Sequence, residues 1–212
     1  MKIALIGASG FVGSAILDEA VSRGHSVTAI VRDTSKVAPH PQITTVAVDA
    51  QDPQALAEVL REHDRVISAY NPGWSAPDIH DQYLKGASAI VEAAKAAHSW
   101  LLVVGGAGSL EIAPGVQLVD TPDFPAEWKQ GALAARDGLT ALRREAALDW
   151  RFVSPPVFLE PGEKRGGYRL GGDQVLFSGD KPAGITVGDL ANAVLNEAEQ
   201  PAHLRQRFTL GY

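Results

Sequence analysis

Short apolar runs separated by longer stretches with helical spacing organise the first two-thirds of the chain. Residues 2–6 (KIALI), 26–31 (SVTAIV), 43–48, 65–70 and 100–104 (WLLVV) have strand length and aliphatic or β-branched character, and 151–154 makes a sixth run. Between them, 11–23, 54–62 and the Ala-rich 78–97 predict helices, and 125–148 holds another. Strands separated by helices imply parallel crossovers and a doubly wound sheet. Beyond Pro155 the texture changes: 160–172 is rich in glycine and charge, 174–177 predicts a short strand, 186–199 a helix, and 208–210 a strand closing the sheet edge. The expected architecture is α/β, a doubly wound parallel sheet in one domain over 1–212, with 156–190 forming a small substrate-side lobe.

The first strand runs directly into GASGFVG at residues 7–13. Gly7 turns the chain sharply out of the strand, Gly10 lets a phosphate approach the backbone, and Gly13 lets the helix pack on the sheet. Free amides and the positive end of the helix dipole then face a pyrophosphate. The strand–turn–helix context is the one a nucleotide-binding glycine motif requires, and predicts an NAD(P)-binding Rossmann fold with Gly7, Ser9, Gly10, Phe11 and Gly13 on the cofactor. At the end of the second strand, where NAD-binding folds place an acid on the ribose hydroxyls, this chain has Arg32 and only then Asp33. A planar guanidinium suits a 2′-phosphate, with Lys36 assisting, so NADP(H) is expected over NAD(H); the alternative is a solvated Arg-Asp pair on a loop. Asp49 either accepts a bond from the adenine amino group or is a turn residue opening the next helix.

Composition narrows the function. The net charge of −6, with no basic tract, argues against nucleic acid and anionic membranes. With no cysteine, disulfides, thiolate metal sites and cysteine nucleophiles are excluded. The six histidines show no metal-ligand spacing, so no metal is expected, and no GxSxG elbow occurs. No apolar stretch approaches membrane-spanning length and no leader pattern is seen, so a cytoplasmic protein is expected.

GASGFVG, SAYNPG at 68–73, GGAGSLE at 105–111, LVDTPDFP at 118–125, YRLGGDQ at 168–174 and RFTLGY at 207–212 together resemble the atypical short-chain dehydrogenase/reductases named NADH-flavin reductases. These belong to an NAD(P)H-binding, NmrA-like group that includes biliverdin reductase B. The resemblance spans essentially the whole chain and implies the fold, a nicotinamide cofactor and a reductase activity. Homodimerisation is compatible with it. One departure from the wider superfamily is informative, namely the missing Tyr-x-x-x-Lys pair. Four residues after Tyr70, Tyr83 and Tyr168 stand Trp74, Ala87 and Gly172, and Tyr212 ends the sequence. Ketone reduction needs a positioned acid, which contributes about 100- to 10,000-fold. Flavins, quinones and linear tetrapyrroles delocalise the incoming electrons and take a proton from water, so ring orientation matters most for them.

Ligands in doubly wound sheets sit beyond the carboxyl ends of the strands. That selects Ala69, Tyr70 and Asn71, with Pro72 and Gly73 (or a plain N-P-G turn), and also Gly105 and Pro155, with Pro156, beside the cofactor. For the acceptor it selects Gly106 and Ala107, with Ser109 as the catalytic hydroxyl that polarises it. Trp74 and Trp128 are candidate walls for a planar ring, or packing residues. His80 is a weaker candidate proton donor. The partner expected is a small-molecule electron acceptor, with flavin as substrate and not prosthetic group. Three functions remain: a reductase of flavin-like or quinone-like acceptors, a non-catalytic NADP-binding redox sensor, and an epimerase or dehydratase, against which the missing Tyr-Lys pair argues.

Overall fold

A computed structural model describes residues 1–212, in which eight strands form one sheet. They are β1 (Lys2–Ile6), β2 (Ser26–Val31), β3 (Ile43–Ala47), β4 (Arg65–Ser68), β5 (Trp100–Val104), β6 (Asp149–Ser154), β7 (Arg169–Gly171) and β8 (Arg207–Gly211). Their order across the sheet is β7-β8-β6-β5-β4-β1-β2-β3, parallel throughout except β7 against β8. The order reverses between β1 and β4, which is where a doubly wound sheet opens its ligand crevice. The predicted α/β doubly wound fold is therefore present.

Five helices cover the sheet: α1 (Phe11–Ser22), α2 (Pro53–Leu60), α3 (Ile79–Ala96), α4 (Ala126–Leu142) and α5 (Val187–Glu199). Capping side chains start two of them, α2 and α5. The Asp52 carboxylate accepts from the Ala55 amide with Pro53 in the first turn, and Thr186 accepts from the Asp189 amide. One face of the sheet packs Ile3, Leu5, Leu102 and Phe208 against α1 and α5. The other packs Ile6, Leu101, Trp150 and Phe152 against α2, α3 and α4. Full burial of each such side chain favours the fold by about 1.5–3 kcal/mol.

Several boundaries differ from the sequence reading. The helix expected within 125–148 stops at Leu142, because the chain must turn to bury Leu148 and Trp150; the Trp150 indole donates to the Glu145 carbonyl and closes that turn. The strand expected over 174–177 is replaced by a bridge between Gln174 and Glu111, and the next strand, Phe177–Ser178, forms a hairpin with Lys181–Pro182. The sheet does not end at β8. The edge is β7, inside the stretch read as glycine-rich and charged. Two further pairs were unforeseen, Glu111–Ala113 with Val116–Gln117 and Phe158–Glu160 with Gly184–Thr186. The segment before β7 is pinned by a buried carboxylate. Asp189 accepts from the Arg165 and Gly166 amides, from the Tyr212 hydroxyl at 2.6 Å and from Thr186. Burial works to raise its pKa, but those bonds outweigh it and hold the carboxylate below its ordinary value.

Candidate cofactor and acceptor site

The glycine turn shows why its residues are small. Gly7 has φ of +80°, and a Cβ there would lie 2.7 Å from the Ala69 carbonyl oxygen. A Cβ on Gly13 would lie 2.0 Å from the Gly7 carbonyl oxygen, so α1 sits directly on the turn. Gly10 is different: a Cβ there would meet only the Gly7 oxygen, at 3.4 Å, so the fold itself does not demand glycine. Gly10 opens α1 with no side-chain cap, and the first amide turned back is that of Ser14, to the Gly10 carbonyl. The amides before it stay uncapped at the positive end of the helix, beside exposed Ser9 and half-exposed Phe11. This is a cradle that fits a diphosphate.

Along the other flank of the crevice, Arg32 is exposed at the end of β2 and takes part in no ion pair. Its neighbour Asp33 is turned into its own loop, accepting from the Ser35 amide and hydroxyl, and these bonds lower its pKa. Lys36 is also exposed. Asp49 accepts from the Gln51 amide at 2.9 Å, the geometry of a turn residue, and Asp52 is the residue that caps α2. Asn71 likewise accepts from the Gly73 amide, so the N-P-G segment forms its own turn. Ala69 packs against Gly7. Half-buried Tyr70 donates its hydroxyl to the Gln82 carbonyl and lies over Gly86, where a Cβ would be 2.3 Å from the ring.

The loop after β5 lies under α4. A Cβ on Gly105 would collide with Phe152 at 1.9 Å, and one on Gly108 would meet Ala132 at 2.8 Å. Gly106 has room, with only Ala135 nearby at 3.6 Å. Ala107 is partly exposed and Pro155, at the end of β6, is buried. Trp128, Gly131 and Ala135 fall three and four residues apart and so share one face of α4. The Trp74 ring rests on that face, since a Cβ on Gly131 would lie 2.6 Å from it. Trp74 is nevertheless 61% exposed and Trp128 54%, so two indoles stand in solvent along the strip that leads down to Gly106. His80 is held between Asp81 and Asp137, and those bonds raise its pKa, Asp137 contributing most. This makes it a bridge from α3 to α4.

The model of the NAD(P)H-binding family matches residues 7–201. This chain belongs to that family. Its relatives include the uncharacterized YwnB protein of Bacillus subtilis, 41% identical over 99% of this chain and 98% of that one. Among solved structures, a candidate epimerase from Bacteroides thetaiotaomicron superposes with a TM-score of 0.93 at 41% identity, covering 100% of this chain and 96% of the other. A candidate NADH-flavin reductase from Streptococcus pneumoniae gives 0.89 at 37% identity, covering 100% and 99%. As a member of the NAD(P)H-binding family the protein takes a nicotinamide cofactor, and the glycine cradle fits one.

Within this family frame, two features of the acceptor side stand out. Ser109, expected to be a free hydroxyl, is 4% exposed, and its oxygen accepts from Arg207 Nη1 at 3.2 Å. That partner was not foreseen. Arg207 also donates to Ser154 Oγ (3.2 Å), the Ser109 carbonyl (3.4 Å), Asp173 Oδ1 (2.7 Å) and the Asp173 carbonyl (3.1 Å). Ser109, Asp173 and Arg207 come from the GGAGSLE, YRLGGDQ and RFTLGY segments, so three separate motifs meet on one guanidinium. Second, no tyrosine is paired with a lysine. Tyr70 bonds Gln82, Tyr168 bonds Asn192, Tyr212 bonds Asp189, and burial pushes Tyr83 up to about 12.

Proposed function

We propose that the protein is an NADPH-dependent reductase of planar conjugated acceptors, flavin-like or quinone-like. The observation that carries this reading is the face of α4 that presents Trp128 and supports Trp74, two solvent-exposed indoles leading to Gly106, the least crowded glycine of the 105–108 loop, where a Cβ would meet only Ala135 at 3.6 Å. Large exposed aromatic surfaces flanking a small-residue floor suit a flat ring, which they hold by stacking. The α1 cradle would bind the cofactor's diphosphate and Arg32 its 2′-phosphate, with the Asp33 carboxylate bonded to the Ser35 amide and hydroxyl and not to Arg32. When bound, the cofactor supplies hydride. The protein's own residues then orient ring against ring, and no tyrosine-lysine acid is required because the acceptor's proton comes from solvent. The same absence speaks against epimerase or dehydratase chemistry.

NADPH oxidation by the purified protein, with and without riboflavin, FMN, FAD and simple quinones, tests the reading. Turnover that depends on acceptor and is lost in Gly106→Trp, where a Cβ meets only Ala135 at 3.6 Å, is the expected result. One observation favours a second reading, a redox sensor: the hydroxyls of Ser109, Ser154 and Tyr70 are each committed to another protein group. Tight NADPH binding with no turnover on any acceptor would establish the sensor instead.

A further inference from the structure

We propose that Arg207 is a positioning residue, fixing the 105–109 loop in the shape that receives the reactive end of the cofactor and the acceptor. The inference rests on the assignment of that loop to the acceptor side.

A guanidinium has five N–H donors, and each has an acceptor here: one on Nε, two on Nη1 and two on Nη2. The side chain is 2% exposed. Burying an arginine is costly, and apolar replacements of similar size at such positions are often neutral or stabilising. Stability alone therefore does not account for it. What a guanidinium offers over an apolar side chain is direction, because its planar fork fixes where every partner must lie.

Those partners surround the acceptor position. Ser109 closes the loop after β5. Ser154 precedes Pro155 at the end of β6. Asp173 belongs to the segment after β7, and its carboxylate also accepts from Arg143 at the end of α4, at 2.6 Å. The Asp173 carbonyl further accepts the Glu111 amide at 2.8 Å. The loop itself contains Gly105, Gly106 and Gly108, and so has little intrinsic stiffness. Phe152 supports its first residue and Arg207 grips its last. With both ends held, Gly106 and Ala107 keep one height above the sheet. A displacement of about 1 Å at such a surface costs on the order of 100-fold in rate.

The test uses Arg207→Lys and Asp173→Asn; the latter changes a half-exposed carboxylate and so tests the grip without emptying the core. Four readouts are compared with the parent: NADPH affinity by calorimetry, nicotinamide fluorescence of bound NADPH, amide hydrogen exchange, and acceptor turnover. In both variants we expect NADPH affinity within about threefold, bound fluorescence reduced by about half, exchange at 106–111 faster by about tenfold and exchange at 7–16 unchanged. Unchanged fluorescence and exchange in both variants overturn the proposal. So does a parallel loss of affinity and protection everywhere, the mark of a purely structural residue. Ser109→Ala separates a third possibility. Arg207 keeps the Ser109 carbonyl in that variant, so turnover should fall less than in Arg207→Lys. Abolished turnover with parent-like fluorescence means that the hydroxyl acts on the acceptor itself, and also overturns the proposal. If the parent reduces no acceptor, the reductase reading fails, while fluorescence and exchange still decide the role of Arg207.

Discussion

Arg32 and Arg207 stand on opposite sides of the same crevice and are employed in opposite ways. Arg32 is exposed, without an ion pair, and its neighbouring carboxylate is folded back on its own loop. Arg207 is buried, and each of its donors has an acceptor. The same contrast runs through their surroundings. On the β1–β3 side, the first amides of α1 have no side-chain cap and Gly10 leaves its surface clear. On the β5–β8 side, Ser109, Ser154 and Asp173 all bond Arg207, and Asp189 bonds the 165–166 segment and Tyr212. Groups left without partners are available to bind a charged ligand; groups that are satisfied hold a shape. One half of the crevice is thus equipped for affinity and the other for geometry.

The largest effect that would sharpen this contrast is at the glycine turn. Gly13→Val places carbon on the Gly7 carbonyl, and should cost about 3 kcal/mol, or about 10 °C in Tm by calorimetry. Gly10→Ala should leave Tm within about 1 °C while weakening NADPH binding, since within the protein its Cβ meets only the Gly7 oxygen, at 3.4 Å. Equal thermal losses in the two variants would break the distinction between a packing glycine and a binding glycine. Next, Arg32→Asp should weaken NADPH by about 10- to 100-fold in a titration while NADH changes little. Equal losses for both cofactors would remove the 2′-phosphate assignment.

On the satisfied side, Asp189→Asn should lower stability at neutral pH by about 2 kcal/mol in urea unfolding. The sign of its pH dependence follows from its lowered folded pKa. The contribution is complete above the unfolded carboxylate's pKa and disappears as pH falls through the folded one. Parent stability should therefore drop on acidification below about pH 4, and the Asn variant should respond less steeply. The smallest effect is expected at His80→Gln, under about 1 kcal/mol for a partly exposed bridge. Its raised folded pKa means that the contribution is full below about pH 6.5 and fades as pH rises through the folded value. A stability difference that grows with pH would contradict the bridge from α3 to α4.

Of the six strands from β1 to β6, β1, β2, β4, β5 and β6 were legible because they are largely buried between neighbours and rich in apolar residues, whereas β3, an exposed edge strand, was legible from its β-branched Ile43, Thr44, Thr45 and Val46. The glycine turn was legible because its context repeats a known physical solution. β7 was not, since it lies at an edge with Leu170 52% exposed and polar neighbours, so no burial pattern marks it. The Arg207 cluster was hidden for another reason. Its partners lie 34, 53 and 98 positions away along the chain, and local periodicity carries no such information. A signal was nonetheless present: each of three distinctive segments contributes one polar residue, and one of those residues is an arginine at the head of a buried strand. The sequence reading has Ser109 as the catalytic hydroxyl that polarises the acceptor; in the structure it is buried and accepts from Arg207, a partner the local sequence does not indicate.

The order of the strands also constrains the order of events when the chain is made. β7 is synthesised before β8, yet its only neighbour in the sheet is β8, which in turn separates it from β6. Until residues 207–211 emerge from the ribosome, β6 ends the sheet with an open edge and β7 has nowhere to pair. The nucleotide turn, built from β1, α1 and β4, precedes these residues in the chain, but the core on which α1 packs is completed by Phe208 and Leu210. The core beneath the dinucleotide cradle should therefore be complete only once β8 pairs, and a cofactor that binds the completed cradle stabilises that pairing by mass action.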